Sequence, residues 1–325
     1  MRTARNATAA SVKPCRARDH LVFALALQLA GCSAIPGNHP AAVARDFHFA
    51  DGGSAIHYRL DKGPPAEPAS RGFLVIVIGG SDCGSMGAWL PGYFDGLEGR
   101  SGPIRIAVLH KRFVRDGSTA DTPCPPSFTR HDHAKRWLDD HEAVIRHLRA
   151  GDPGRRVVLV GISEGAEVVP ALARRIGDVA GIAIVASGAM APLEAYRIQA
   201  GRFALPFDAI AAAASGRQPP ADPDAPREEL GGRSWRYWSE IVDLDPTGNL
   251  LALGVPVIAA MGTEDRHVPP ESLDRLRERF ARAGNDKLET HAFPRAGHDF
   301  VERPGGRSRL PDFWRAFDDW LDRLR

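Results

Sequence analysis

Apolar runs separated by turn-forming residues divide the chain from residue 73 onward, and their spacing alternates between two periods. Phe73–Ile78 (FLVIVI) is unbroken, as expected of a central strand covered on both faces. Ile104–Leu109, Val157–Val160, Gly181–Ala186 and Val255–Ala260 read as further strands, and Leu288–Phe293 as the last. Between them Ala134, Trp137, Leu138, His141, Ile145 and Leu148 recur at helical spacing. Ala166 to Ile176 continues in the same period, and Ser272–Ala283 is a helix with Gly284 at its C-terminal stop. A final helix opens at Pro311 and turns Trp314, Phe317, Leu321 and Leu324 to one side. Upstream, Ala44–Ala50 and Ala55–Leu60 flank Asp51-Gly52-Gly53-Ser54, a hairpin signal. The alternation predicts an α/β architecture: a mainly parallel sheet with helices on both faces and an antiparallel hairpin at its front.

One segment breaks the rhythm. Roughly 60 residues, about 191–253, stand where a simple crossover needs far fewer. They include Ala211–Ala214, a Pro- and Asp-rich loop from Pro219 to Pro226, and Ser234-Trp235-Arg236-Tyr237-Trp238. A structureless loop of that length is unusual in a compact domain, so the segment is expected to be an inserted cap. Its aromatic residues fit either a substrate pocket or the cap's own packing core. The chain holds no internal repeat.

Composition is that of a soluble globular protein, with a formal charge of +2 over 325 residues. That balance conceals an asymmetry, because Arg2, Arg5, Lys13, Arg16 and Arg18 face only Asp19 within residues 1–31. No basic stripe with interleaved aromatics suggests a nucleic-acid partner. The basic region leads into Leu21–Ala30, an apolar run too short to span a bilayer as a helix, and then into Leu29-Ala30-Gly31-Cys32. The pattern resembles a bacterial lipoprotein signal. Residues 1–31 are then expected to be removed, Cys32 to carry lipid, and residues 32–43 to form a tether. The expected location is the cell envelope, held at a membrane by the lipid anchor and facing the periplasm or the exterior. The competing readings are an ordinary secretory signal cleaved nearby and a misassigned start on a cytosolic protein. Cys83 and Cys124 remain, an even pair for which an oxidising compartment favours a disulfide. Two free buried thiols are the alternative.

Candidate chemistry centres on Val-Val-Leu-Val-Gly-Ile-Ser-Glu-Gly-Ala, residues 157–166. Gly161, Ser163 and Gly165 make a Gly-x-Ser-x-Gly pattern between a strand and a helix, which lifts a serine hydroxyl clear of the sheet. A hydroxyl needs a positioned base to take its proton. His298, in Arg-Ala-Gly-His-Asp-Phe just after the last strand, lies where α/β sites gather. An imidazole in that role needs a carboxylate to fix its tautomer. Asp265, in Met-Gly-Thr-Glu-Asp-Arg-His-Val-Pro after Val255–Ala260, is the candidate, with Glu264 its competitor.

The order Ser163, Asp265, His298 and the three surrounding motifs resemble the α/β-hydrolase superfamily, from about residue 44 to residue 325. The resemblance implies a serine hydrolase that cleaves a carboxylic ester or related acyl bond of a small molecule through an acyl-enzyme, without metal or organic cofactor. It also implies two oxyanion donors: the Glu164 N–H, and one from Gly79-Gly80-Ser81-Asp82, either Ser81 or its neighbour Asp82. This loop departs from the His-Gly-Gly form of many lipases and esterases. In such a fold the strands before Cys83 and Cys124 are adjacent, so a bond between them would tie the oxyanion loop to its neighbour. The same triad serves peptidases and acyltransferases, and a non-catalytic envelope protein on this fold is the reading from another class. His131, His133 and His141 with Asp132 and Asp140 fit either a metal site or a charged helix start. Oligomeric state and substrate identity are not legible.

Overall fold

The computed structural model describes residues 42–65, 72–90, 92–100, 102–119, 122–203, 206–215 and 218–325. The signal, Cys32 and nearly all of the tether lie outside them. A hairpin of β1 (Ala44–His48) and β2 (Ser54–Lys62) opens the sheet, followed by β3 (Phe73–Ile78) and β4 (Ile104–Leu109). After α1 (Pro126–His131) and α2 (Ala134–Gly151) come β5 (Arg156–Ile162), α3 (Gly165–Ile176) and β6 (Val179–Val185). The insertion folds as α4 (Pro192–Phe203), α5 (Phe207–Ala214), α6 (Trp235–Ile241) and α7 (Pro246–Leu253). The chain ends with β7 (Val257–Gly262), α8 (Glu271–Arg282), β8 (Leu288–Phe293) and α9 (Leu310–Arg323).

The eight strands form one sheet in the order β1-β2-β4-β3-β5-β6-β7-β8. The hairpin is antiparallel, and every pairing from β4 to β8 is parallel. Side chains of a strand alternate between faces, and the core divides accordingly. Val75, Val77, Val158 and Val160 pack with Phe313, Trp314, Phe317 and Leu321 of α9. Leu74, Ile76 and Leu159 pack on the other face with Val144 of α2, Val169 of α3 and Leu276 of α8. All six β3 side chains are buried, as a strand covered on both faces requires.

The insertion has its own small core. Tyr196, Ile210, Leu230, Tyr237, Trp238 and Ile241 pack against Trp137 of α2 and Val168 of α3. Tyr237 and Trp238 are therefore packing residues, which decides between the two roles open to the aromatics of that segment. Ser234 caps α6 by accepting from the Tyr237 N–H at 3.0 Å, and Asp245 caps α7 through the Gly248 N–H at 2.9 Å. Among the described residues no helix is long and apolar enough to cross a membrane.

Candidate active site

Because β3 to β8 run parallel, the loops that follow β3, β5, β7 and β8 share one edge of the sheet. The strand order reverses at β3 and β5, which opens the crevice where open α/β sheets bind ligands. Ser163 directly follows β5 and has φ of 56°. A left-handed backbone at a non-glycine residue costs on the order of 1–3 kcal/mol and persists only when its surroundings impose it. Here the Ser163 N–H donates to the Val185 carbonyl at 2.8 Å, and the Ser163 carbonyl accepts the Ala166 N–H at 3.0 Å. The flanking glycines serve close approach. A Cβ at Gly161 would lie 2.6 Å from Ala166 Cα, and one at Gly165 would lie 2.3 Å from the Ile78 carbonyl oxygen. The turn can press α3 against β5 and the end of β3 only without those atoms.

Asp265 and His298 meet across adjacent strands, since Gly262 of β7 is in register with Phe293 of β8. Their loops are joined by Glu264 N–H to Ala296 O at 2.9 Å and Arg295 N–H to Thr263 Oγ1 at 3.0 Å. Asp265 Oδ2 lies 2.7 Å from His298 Nδ1, while Oδ1 accepts the His267 and Val268 N–H groups at 2.8 and 2.9 Å. Both side chains are buried, and Glu264 is exposed, so burial separates the two acidic candidates. With Nδ1 bonded to a carboxylate, the ring's second nitrogen is left for another partner. Nε2 is buried with no hydrogen-bond partner among the described residues. No hydrogen bond joins it to the Ser163 hydroxyl. Such bonds are often long before substrate binds. His267, whose ring lies 5.1 Å from that of His298, is a neighbour the sequence did not single out.

Gly80 abuts the serine: a Cβ there would lie 3.3 Å from Ser163 Cβ and 3.6 Å from its Oγ. Ser81 and Asp82 follow, and no described acceptor takes the backbone N–H of Ser81, Asp82 or Glu164. Cys83 and Cys124 form a disulfide with Cα atoms 5.5 Å apart. It joins the loop after β3 to the segment that follows the adjacent strand β4. Two hydrogen bonds at 2.9 Å reinforce it, Ser85 N–H to Ser118 O and Ser118 Oγ to Cys83 O.

These loops wall a cavity of about 490 Å³. His298, Gly80 and Ser81 line it, with Trp89, Tyr93, Phe300 and Leu310 among its apolar walls. None of the described residues of the insertion lines it. His110 and His141 also face it. Burial lowers the pKa of His110 to about 4 and that of His141 to about 3, so both are neutral at neutral pH.

Around Glu164, the residue after the serine, lies a charged cluster the sequence did not reveal. Lys111 Nζ donates to Asp132 at 2.8 Å and to Glu164 at 2.9 Å, and sits 3.5 Å over the Trp137 ring. Burial pulls the Lys111 ammonium down to about 8, against the opposing attraction of Glu164. Burial, then the charge of Glu164, raises the Glu167 carboxyl well above its ordinary value. The histidine group read as a possible metal site is engaged elsewhere. His133 Nδ1 lies 2.7 Å from Glu240, His131 Nδ1 lies 2.8 Å from the Ser127 carbonyl, and Asp140 accepts from Arg112 at 2.7 Å. No group of three metal-ligating side chains converges among the described residues.

The sequence model of the alpha/beta hydrolase family matches residues 87–307. No curated protein matches the sequence. Among solved structures, an acylaminoacyl peptidase from Pyrococcus horikoshii superposes with a TM-score of 0.56 at 12% identity, over 88% of this chain and 42% of its own. This chain thus spans less than half the length of that protein. Est1E from Butyrivibrio proteoclasticus superposes with a TM-score of 0.55 at 14% identity, over 88% of this chain and 99% of its own. The alpha/beta hydrolase GrgF from Penicillium sp. sh18 does so at 0.57 and 16%, over 88% and 99%. At these identities the likeness is one of fold.

Proposed function

The chain belongs to the alpha/beta hydrolase family, and from that premise we propose that it is a serine hydrolase cleaving a carboxylic ester or related acyl bond through Ser163, His298 and Asp265. The observation that carries the reading is the buried Asp265–His298 pair at 2.7 Å, with Nε2 unpartnered and His298 lining the same cavity as Gly80, the residue that abuts Ser163. In this mechanism His298 Nε2 takes the Oγ proton as Ser163 attacks the carbonyl carbon. Asp265 holds the tautomer and stabilises the imidazolium. The Glu164 and Ser81 N–H groups receive the negative charge that develops on the carbonyl oxygen. The tetrahedral intermediate collapses, the bond to the leaving oxygen breaks, and His298 returns its proton to that oxygen. Water then adds to the acyl-enzyme, giving a proton to Nε2, and the acid departs as Ser163 regains its hydrogen.

Apolar walls at Trp89, Tyr93, Phe300 and Leu310 favour an apolar group on the acyl or alcohol side. A fluorophosphonate probe tests the assignment. Labelling of folded wild-type protein that vanishes in Ser163→Ala is expected, and labelling that persists in that variant overturns it. A panel of p-nitrophenyl esters with aminoacyl anilides alongside separates esterase from peptidase use, with esters expected to turn over faster. On the sequence pattern at Leu29–Cys32, we propose a lipid anchor at Cys32 and an envelope location. Cys32→Ala is expected to release the protein from the membrane fraction or block its processing.

A further inference from the structure

Arg233, in the insertion, reaches the loop beside Ser163. Its Nη2 donates to the Ser81 carbonyl at 2.6 Å, and its Nη1 bonds Asp132. Asp132 also accepts Lys111 Nζ at 2.8 Å, and that ammonium donates to Glu164 at 2.9 Å. The Tyr237 hydroxyl bonds the other Glu164 oxygen and lies 3.1 Å from the Tyr196 hydroxyl. One continuous chain therefore runs from Ser81 through Arg233, Asp132 and Lys111 to Glu164. Its ends are the two residues whose backbone N–H groups the proposed mechanism uses. Asp132 is fully buried, and the side chains of Lys111 and Glu164 are nearly so.

Two cations and two carboxylates balance within the chain, and the guanidinium lies 4.5 Å over the Tyr237 ring. Buried ion networks stabilise a fold weakly, since well-packed apolar residues do as well or better. They do fix geometry, because each partner accepts only a narrow range of directions. The Arg233 bond holds Ser81 by its carbonyl, just past the Ser81 N–H, and orients the Asp82 N–H of the same peptide, while the Lys111 and Tyr237 bonds hold the Glu164 side chain. The insertion, none of whose described residues lines the cavity, thereby gains a connection to the site.

We propose that Arg233, Asp132 and Lys111 form a clamp that positions both oxyanion donors, with Arg233 a positioning residue supplied by the insertion. The proposal rests on the serine-hydrolase reading. Removing Arg233, which does not line the cavity, leaves the cavity walls in place and lets the donors drift. Misplacement of about 1 Å can cost on the order of 10²-fold in rate.

The test is Arg233→Gln, together with the double variant Arg233→Gln/Asp132→Asn, which removes a charge of each sign and leaves Lys111 paired with Glu164. Steady-state hydrolysis of a p-nitrophenyl ester and the fluorophosphonate labelling rate are measured on protein shown to be folded by thermal unfolding. The expected result is a roughly 10–100-fold fall in kcat with KM nearly unchanged, and labelling slowed in proportion. Arg233→Lys, or free guanidinium ions added to Arg233→Ala, should recover part of the loss. Unchanged kcat in either folded variant overturns the clamp, as does a change confined to KM, which would make Arg233 a substrate contact. Absence of Ser163-dependent labelling in the wild type would instead refute the hydrolase reading itself.

Discussion

Ser163, His298 and Asp265 come from three separate loops, and the serine and the aspartate are each constrained by bonds that do not involve the other members. The serine is set by its left-handed backbone and the Val185 carbonyl, and the aspartate by two N–H groups of its own turn. If the three act as a unit, Ser163→Ala and His298→Ala each lower kcat by roughly 10⁶-fold, and the double variant is little worse than either. Asp265→Asn keeps the geometry but favours the wrong tautomer. Its expected cost is on the order of 10⁴ in kcat, with thermal stability showing that the fold persists. Glu264, exposed beside it, should tolerate Gln with activity within twofold or so in the same assay.

At the scale of elements, the turn between β5 and α3 depends on atoms that are missing. Gly165→Ala would place a methyl 2.3 Å from the Ile78 carbonyl oxygen, in backbone that cannot swing aside. Its expected cost is about 1–3 kcal/mol in denaturant unfolding, with loss of Ser163 labelling. Breaking the disulfide with Cys83→Ala/Cys124→Ala should lower stability by about 2–4 kcal/mol, since it closes a long loop. The strands and α2, α3, α8 and α9 were legible because each buries a continuous face whose period shows in the sequence. α8, for example, turns Leu273, Leu276 and Phe280 inward. The boundary of β7 shifted, because Val255 and Pro256 precede the first paired residue, Val257. Within the insertion only part of α5 was visible, because α4 and α6 bury their residues against one another and against α2, with no simple apolar stripe. The candidate triad was readable since each member follows a strand within a small-residue motif. Lys111, Asp132 and Arg233 were not, because their meaning lies in pairings between segments far apart in sequence.

For the whole molecule, His110 and His141 link stability to pH. Both have folded pKa values, about 4 and about 3, below the ordinary value of 6.5 that applies when unfolded. Between pH 6.5 and about 4 the unfolded chain binds protons that the folded chain does not, so stability falls as the solution is acidified through that window. Thermal unfolding at pH 7, 6, 5 and 4.5 should show Tm dropping, and His141→Gln should flatten the decline. A wild-type Tm that is level or rising on acidification would contradict the assignment of both as neutral buried rings. Acyl transfer to Ser163 is a covalent event, and the mass of the whole protein reports it. Folded protein mixed with an activated p-nitrophenyl ester, quenched in acid during turnover, should gain the mass of one acyl group, mapped to the peptide containing Ser163. Turnover with no adduct on Ser163, or with the acyl group on another residue, would contradict the account.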